Sequence, residues 1–259
     1  MMNELLTESN YFSADMNQFY MGSSQFKAFQ SCQARAKAVL SGQWQNESST
    51  ALLVGSFVDS HFSNTLDLFR AQNPEIFTKS GSLKSEYQHA EYIIQRIERD
   101  ELFMAFLAGE QQKIMTGVIE SVPFKVKIDS YHHNYMIVDL KIMKDFAPVW
   151  VEGEGKLPFI EAWSYDTQAS IYQEIARQNV GMQLPFYIAA ATKEKPEPDI
   201  GIFQIPQHRL DYALDLVKHY APEYQAIKLG QAEPERCGKC DYCKHTKILT
   251  EIIDYTEAI

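Results

Sequence analysis

Two acidic residues and a lysine lie close together in one short stretch, FKVKIDSYHHNYMIVDLK, which spans residues 124–141. Apolar and polar residues alternate on both sides of a central polar loop, and this pattern predicts two strands. Because side chains along a strand alternate between its faces, Asp139 and Lys141 share one face, and Asp129 ends the polar face of the first strand. If the strands pair as a hairpin, these side chains converge and could hold a divalent cation beside a phosphate.

Such a site is suited to the hydrolysis of a phosphodiester. A bound Mg²⁺ or Mn²⁺ would polarise the phosphoryl oxygen and make hydroxide available near neutral pH. Lys141 could hold the attacking water or offset negative charge in the transition state. On its own, however, Asp-x-Lys is a weak pattern, and a surface ion pair on an edge strand explains it as well.

Two other pairs of residues are candidates for the same site. Gln168 and Tyr172 are four residues apart in a predicted helix, so they share a face and could both reach a phosphate, although an ordinary helix surface explains them too. Asp59 and His61 lie in an earlier predicted helix, and either could supply a further metal ligand. Since they point about 200° apart around that helix, at most one of them faces the site.

The chain has four cysteines, and three of them form a C-x2-C-x2-C cluster, Cys237, Cys240 and Cys243. This is the spacing of three ligands to one [4Fe–4S] cluster, for which Cys32 would be the fourth. Zn²⁺ is the alternative, bound by four thiolates or by three with His245, and unbound cysteines are a third interpretation. A metal that joined Cys32 to the tail would close a loop over most of the chain and so restrict its unfolded state.

The composition limits the class of protein. With 45% hydrophobic and 12% aromatic residues, the chain is typical of a globular protein and not of a disordered one. Its net charge of −10 argues against loose, nonspecific nucleic-acid binding, but it allows a local basic groove over an acidic metal site. The sequence has neither a secretory signal pattern nor an apolar run of the roughly 20 residues that span a bilayer. We therefore expect a cytoplasmic protein without a membrane partner.

Hydrophobic periodicity predicts helices mixed with strands, and so an α/β protein in one domain over residues 1–259. Residues 1–22 have no clear period, and we expect a loosely attached arm. The predicted helices cover about 23–40, 51–70, 83–97, 165–178 and 210–220. The predicted strands cover about 114–119, 124–129, 136–142, 184–191 and 200–205. The helix over 23–40 carries Cys32, and the cysteine tail over 237–247 would join it through the metal.

These motifs together resemble a known family. In chain order they are a cysteine in an N-terminal helix, G-x3-D, D-x9-D-x-K, Q-x3-Y and a C-terminal cysteine cluster. The stretches that carry them include SSQFKAFQSCQARAKA, LLVGSFVDSHF and YDTQASIYQE. The order is similar to that of the iron–sulfur PD-(D/E)xK nucleases of the RecB/AddB type, and it is most similar to the phage RecE-like (exonuclease VIII-like) exonucleases.

The resemblance implies a restriction-endonuclease-like fold, in which helices flank a mixed central sheet. The site residues that it implies are Asp129, Asp139 and the Leu140 carbonyl as metal ligands, Lys141 as the catalytic lysine, and Gln168 and Tyr172 beside the DNA backbone. It also implies that the cysteines staple the two ends of the chain around an iron–sulfur cluster. Asp59 stands where RecB-type relatives carry His, which leaves open whether Asp59 or His61 completes the site.

The expected function is therefore a metal-dependent DNA exonuclease that acts on duplex ends in phage-type recombination or repair. The resemblance further implies a single-strand-annealing recombinase as a partner. Two alternatives remain at this point: a catalytically inactive DNA- or protein-binding module on the same scaffold, and an iron–sulfur redox sensor.

Overall fold

The structure is a computed structural model that describes residues 6–47, 49–250 and 252. Its strands are β1 (Glu110–Ile119), β2 (Val122–His132), β3 (Met136–Met143), β4 (Val149–Val151), β5 (Gly155–Leu157), β6 (Phe186–Thr192) and β7 (Ile200–Gln204). Its α-helices are α1 (Ala14–Phe19), α2 (Ser23–Ser31), α3 (Gln33–Leu40), α4 (Thr50–Phe62), α5 (Leu66–Gln72), α6 (Ser85–Glu98), α7 (Glu101–Leu107), α8 (Phe159–Ala162), α9 (Tyr165–Val180), α10 (Gln207–Lys228) and α11 (Asp241–His245). Within these residues, no helix has the length and apolar character that a bilayer span requires.

A mixed sheet forms the centre of the fold. Among the described residues it has five strands in the order β1-β2-β3-β6-β7, and β3 and β6 are parallel while the other neighbours are antiparallel. Apolar side chains form one core with α2, α9 and α10 and another with α4, α6 and α7. Because helices cover the sheet on both sides, β3 is buried along most of its length. The architecture confirms the predicted α/β class with a helix-flanked mixed sheet.

Helix α9 lies close against β1. A Cβ atom on Gly117 of β1 would stand 2.5 Å from Oε1 of Gln178 and 2.9 Å from Cδ1 of Ile175, so a residue without a side chain permits this approach. At the other end of α9, Asp166 accepts a 2.6 Å hydrogen bond from Nε of Arg209 on α10. The two contacts fix the helix that carries Gln168 and Tyr172.

The helix predicted over 23–40 is interrupted. Helices α2 and α3 meet at Cys32, whose backbone is extended with φ −165° and ψ 108°. The backbone N–H of Ala34 donates to the carbonyl of Glu235 at 3.0 Å, and the amide oxygen of Gln33 accepts from Glu235 N–H at 2.7 Å. The prediction of one continuous helix with Cys32 inside it is wrong, because hydrogen bonds to the distant tail stabilise the break.

The N-terminal arm is docked over the part that the structure describes. Residues 1–5 lie outside that part, but Tyr11, Met16 and Met21 are buried. The buried Lys125 ammonium donates to the Tyr11 carbonyl and, at 2.8 Å, to Oδ1 of Asn17. Burial lowers the pKa of Lys125 to about 8, so holding the ammonium here has a cost that these contacts offset. The prediction of a loosely attached arm is wrong for residues 6–22.

Candidate active site

Asp129 and Asp139 lie on neighbouring strands and face the same cleft. Ser130 pairs with Val138 and Tyr131 with Ile137 in the β2–β3 ladder, so the next position in this register sets Asp129 across from Asp139. The backbone N–H of Leu140 donates to Oδ2 of Asp129 at 2.9 Å. The carboxylate thus takes a backbone donor at the point where the regular ladder ends.

Two side chains hold the Asp139 carboxylate from opposite sides. The ammonium of Lys141 is 2.5 Å from Oδ2 of Asp139, and Nε2 of Gln168 donates to its Oδ1 at 2.7 Å. Burial alone would lower the pKa of Lys141, but Asp139 and Asp129 raise it above its usual value. Lys141 is therefore a cation at neutral pH and is suited to offset negative charge, not to accept a proton.

Asp59 and His61 lie in different surroundings. Asp59 lines the cleft with the other two aspartates, whereas Nε2 of His61 is 2.8 Å from Oε1 of Glu98 in a partly exposed pair. Since the two residues point to different sides of α4, packing of α4 against the sheet turns only Asp59 toward the cleft. The structure does not bring the alternative, His61, to the site.

The three aspartates concentrate negative charge in the cleft. Burial raises the pKa of Asp129 well above its usual value, and the charges of Asp139 and Asp59 raise it further. The pKa of Asp59 is also raised, by burial first and then by the charge of Asp139. A divalent cation would relieve this repulsion, and carboxylate oxygens are the ligands that Mg²⁺ and Mn²⁺ prefer. The chemistry of the donor set therefore fits such an ion.

Gln168 and Tyr172 both line the cleft one turn apart on α9. Burial raises the pKa of Tyr172 well above its usual value, and its hydroxyl contacts Ser23 of α2. Sequence reasoning missed two neighbours of these residues, Tyr165 and Lys27. The Tyr165 ring lies 5.4 Å from the Lys141 ammonium and 5.6 Å from that of Lys27. A lysine and a tyrosine in amphipathic helices give no signal of this proximity.

The cleft itself has a volume of about 1300 Å³. Its basic lining residues are Lys27, Arg35, Lys125, Lys127 and Lys141. Among the described lining residues these outnumber the acids, which are the three aspartates. Burial, together with the charge of Lys141, lowers the pKa of Lys27 to about 8. A chain of net charge −10 thus has a locally basic cleft above its acidic centre.

The four cysteines meet away from this cleft. Their Sγ atoms all lie within 4.8 Å of one another. Cys32 is 3.6 Å from Cys243 and 3.7 Å from Cys240, and Cys237 is 3.9 Å from Cys243. A metal ion can be held by a group of three or more His, Cys, Asp or Glu side chains whose ligand atoms lie close enough together. Among the described residues, the four cysteines form such a group.

The sulfur spacing can be compared with the geometry of the two predicted metal centres. Zinc–sulfur bonds of about 2.3 Å in a tetrahedron place the sulfurs about 3.8 Å apart. Three of the six sulfur separations, at 3.6–3.9 Å, are close to this value, and the other three are no longer than 4.8 Å. In a [4Fe–4S] cubane each thiolate binds a different iron, so the sulfurs must lie further apart. His245 is the alternative zinc ligand that the sequence suggested. Its ring lies beside that of Trp44, with 5.4 Å between the ring centroids.

Comparison with known proteins identifies the family. A family model described as a PDDEXK-like domain of unknown function (DUF3799) matches residues 22–246. The chain belongs to this family. DUF3799 membership confirms the PD-(D/E)xK resemblance and the fold that it implies.

A solved structure is strongly similar to this DUF3799 chain. A crystal structure named "Putative exonuclease" from Eubacterium rectale is 44% identical, has a TM-score of 0.94, and aligns over 98% of both chains. The structure of SSO0001 aligns over 84% of this chain and 94% of its own at 12% identity, with a TM-score of only 0.32. No curated protein matches the chain.

Proposed function

We propose that this DUF3799 protein is a deoxyribonuclease that hydrolyses phosphodiester bonds at DNA ends. The observation that carries the proposal is the Asp139 carboxylate, held between Lys141 and Gln168 and facing Asp129 at the centre of a basic cleft. The PDDEXK-like family and the relative named as an exonuclease support a nuclease role. The order of the motifs, which resembles that of RecE-like enzymes, supports action on duplex ends in recombination or repair, with a single-strand-annealing recombinase as partner.

The aspartates would hold the divalent cation, Mg²⁺ or Mn²⁺. Asp129 and Asp139 are the proposed ligands, together with the Leu140 carbonyl and Asp59. When bound, the cation supplies electrophilic polarisation of the phosphoryl oxygen and lowers the pKa of water. Gln168 and Lys141 orient the Asp139 carboxylate, and the Lys141 ammonium offsets the charge that develops on the phosphoryl group.

The basic side chains of the cleft would bind the DNA backbone. Lys27 has a ring contact but no hydrogen bond or ion pair to another described residue, and it lies within electrostatic reach of Lys141 and Asp139. Lys127 and Arg35 extend the positive lining. Such contacts neutralise phosphates and position the strand without reading its sequence, which suits an enzyme that digests DNA from an end.

Nucleotide release from linear and circular duplex DNA tests this function. We expect release from the linear form only, with Mg²⁺ or Mn²⁺ present. Asp139→Asn should lower the rate on the order of 100-fold or more. Asp215→Asn, in an exposed ion pair with Lys218 on α10, is the matched control and should keep full activity. Metal-independent binding of DNA without cleavage under either ion would instead support an inactive module.

We also propose that the cysteines bind one structural Zn²⁺. The sulfur separations support a single tetrahedral ion, and the backbone N–H of Cys240 donates to Cys237 at 3.4 Å. This hydrogen bond is the main cause that lowers the pKa of Cys237 to about 6, which favours the thiolate that a metal requires. Protein purified without oxygen should contain one zinc per chain. Four irons per chain with absorbance near ~400 nm would instead identify a [4Fe–4S] cluster and overturn the zinc assignment.

A further inference from the structure

Gln112 of β1 lies across from Asp129 but has no role in the proposed site so far. In the antiparallel β1–β2 ladder, Gln111 pairs with Ser130 and Lys113 with Ile128. The position between them in this register sets Gln112 opposite Asp129. Opposite residues of an antiparallel pair share one face of the sheet, and both side chains line the cleft.

The backbone of Gln112 is unusual for a strand. Its φ is +52°, in the left-handed region that residues with a Cβ atom seldom adopt. The ladder forms pairs on both sides of Gln112 and omits Gln112 itself. Backbone strain of this kind persists where the surrounding structure enforces it, and it is concentrated at functional sites.

The side-chain amide gives a second, independent observation. Nε2 of Gln112 is buried and has no hydrogen-bond partner among the described residues. The preceding residue shows the contrast, because Nε2 of Gln111 donates to the carbonyls of Leu107 at 2.5 Å and Gly109 at 3.2 Å. A buried donor without an acceptor is costly. A ligand that brings an acceptor into the cleft beside Asp129 would remove this cost.

We infer that Gln112 is a substrate contact, whose amide N–H donates to a nonbridging phosphate oxygen of the DNA strand bound over Asp129. The inference rests on the proposed nuclease function and adds a residue that no motif included. A neutral amide is suited to this position, since it binds a phosphate oxygen without competing as a cation for the nearby aspartates. Rotation of the carboxamide by 180° would present its oxygen to the cation instead, and the experiment separates the two arrangements.

The test uses two substitutions with different chemistry. Gln112→Gly removes the amide and accepts the positive φ without strain, so the fold should be at least as stable as in the unsubstituted protein. Gln112→Glu keeps the shape but replaces the donor by a negative charge. Gln95→Glu on the exposed side of α6 is the matched control for the added charge.

Equilibrium binding of linear duplex DNA, single-turnover cleavage and thermal unfolding are measured for each protein. Loss of one hydrogen bond to a phosphate should weaken binding roughly ten- to hundredfold in Gln112→Gly, with an unchanged or higher melting temperature. Gln112→Glu should bind more weakly still, because its charge repels the phosphate, and Gln95→Glu should match the unsubstituted protein.

The other outcomes overturn the inference in distinguishable ways. If both Gln112 variants bind and cut DNA like the unsubstituted protein, Gln112 is no substrate contact and the nuclease proposal stands. If Gln112→Glu binds as well as the unsubstituted protein and cuts at a lower Mg²⁺ concentration, the carboxamide oxygen faces the cation and the donor assignment is wrong. If the unsubstituted protein neither binds nor cuts DNA, the proposed function fails and this inference fails with it.

Discussion

The aspartate cleft and the cysteine cluster are both candidate metal sites, but they are built in opposite ways. The four cysteine sulfurs already converge, all within 4.8 Å of one another. The aspartates face a common cleft, yet Lys141 and Gln168 occupy both oxygens of Asp139, and Leu140 N–H occupies one oxygen of Asp129. A structural metal site is closed by its ligands, whereas a catalytic site keeps room for a substrate. Under the proposed functions, the cysteine site would hold the chain together and the aspartate site would be available for chemistry.

The cluster also shapes the cleft. Cys32 separates α2 from α3, and both helices contribute lining residues, among them Lys27 and Arg35. An ion that holds Cys32 to the tail therefore fixes two helices of the cleft wall. On this view the cluster affects cleavage through the position of the wall and takes no part in the reaction.

The largest effect is expected from Cys32→Ser. Without one thiolate the ion is lost, and the free energy of unfolding should fall by about 3 kcal/mol or more. Denaturant unfolding and zinc content measure this change. Retention of both values in the variant would contradict a structural role for the cluster.

Asp129→Asn should instead lower cleavage without lowering the stability of the fold. We expect cleavage to fall on the order of 100-fold or more, while the free energy of unfolding stays equal or rises. The folded state raises the pKa of Asp129, so the ionised carboxylate destabilises the fold once the pH rises through that pKa. The advantage in stability of the variant should accordingly shrink as the pH falls and Asp129 is protonated. If the variant is less stable at neutral pH than the unsubstituted protein, repulsion among the aspartates does not destabilise the fold.

Lys27→Ala should weaken DNA binding roughly tenfold and make it less dependent on salt, because one phosphate contact is lost. Binding measured over a series of salt concentrations gives both quantities. Lys84→Ala, at an exposed position before α6, serves as the control and should leave the salt dependence unchanged. Equal salt dependence in the two variants would remove Lys27 from the DNA path.

The smallest effect is expected from Gly117→Ala. The added Cβ atom meets Gln178 and Ile175, and their side chains can move at a cost of about 1–3 kcal/mol in stability. Because α9 also carries Gln168, a small shift of the helix should lower the cleavage rate, while zinc content stays the same. Lowered zinc content would show that the two sites are coupled through α9.

Local patterns in the sequence were sufficient for the central strands. The period-2 alternation in 124–141 predicted β2 and β3, and the pairing of these strands in the structure is antiparallel, as a hairpin requires. The four-residue spacing of Gln168 and Tyr172 likewise predicted a shared helix face, and both residues line the cleft. These features depend on backbone geometry over a few residues, so the sequence carries them without help from the rest of the fold.

The features that sequence reasoning missed depend on distant segments. Cys32 interrupts a helix that has neither glycine nor proline at that point, since Glu235 supplies the alternative hydrogen bonds. Gln112 and Lys27 have no motif around them, and their significance comes from Asp129 and Lys141 beside them.

The sequence by itself predicted the five strands of the central sheet, the PD-(D/E)xK resemblance and the residue types of both candidate metal sites. Tertiary structure alone decided that Asp59 and not His61 faces the cleft, that the helix breaks at Cys32, and that the four sulfurs converge within 4.8 Å of one another. The physical reason is that periodicity defines the faces of an element, whereas its packing partners, which are distant in the chain, decide which face is turned inward.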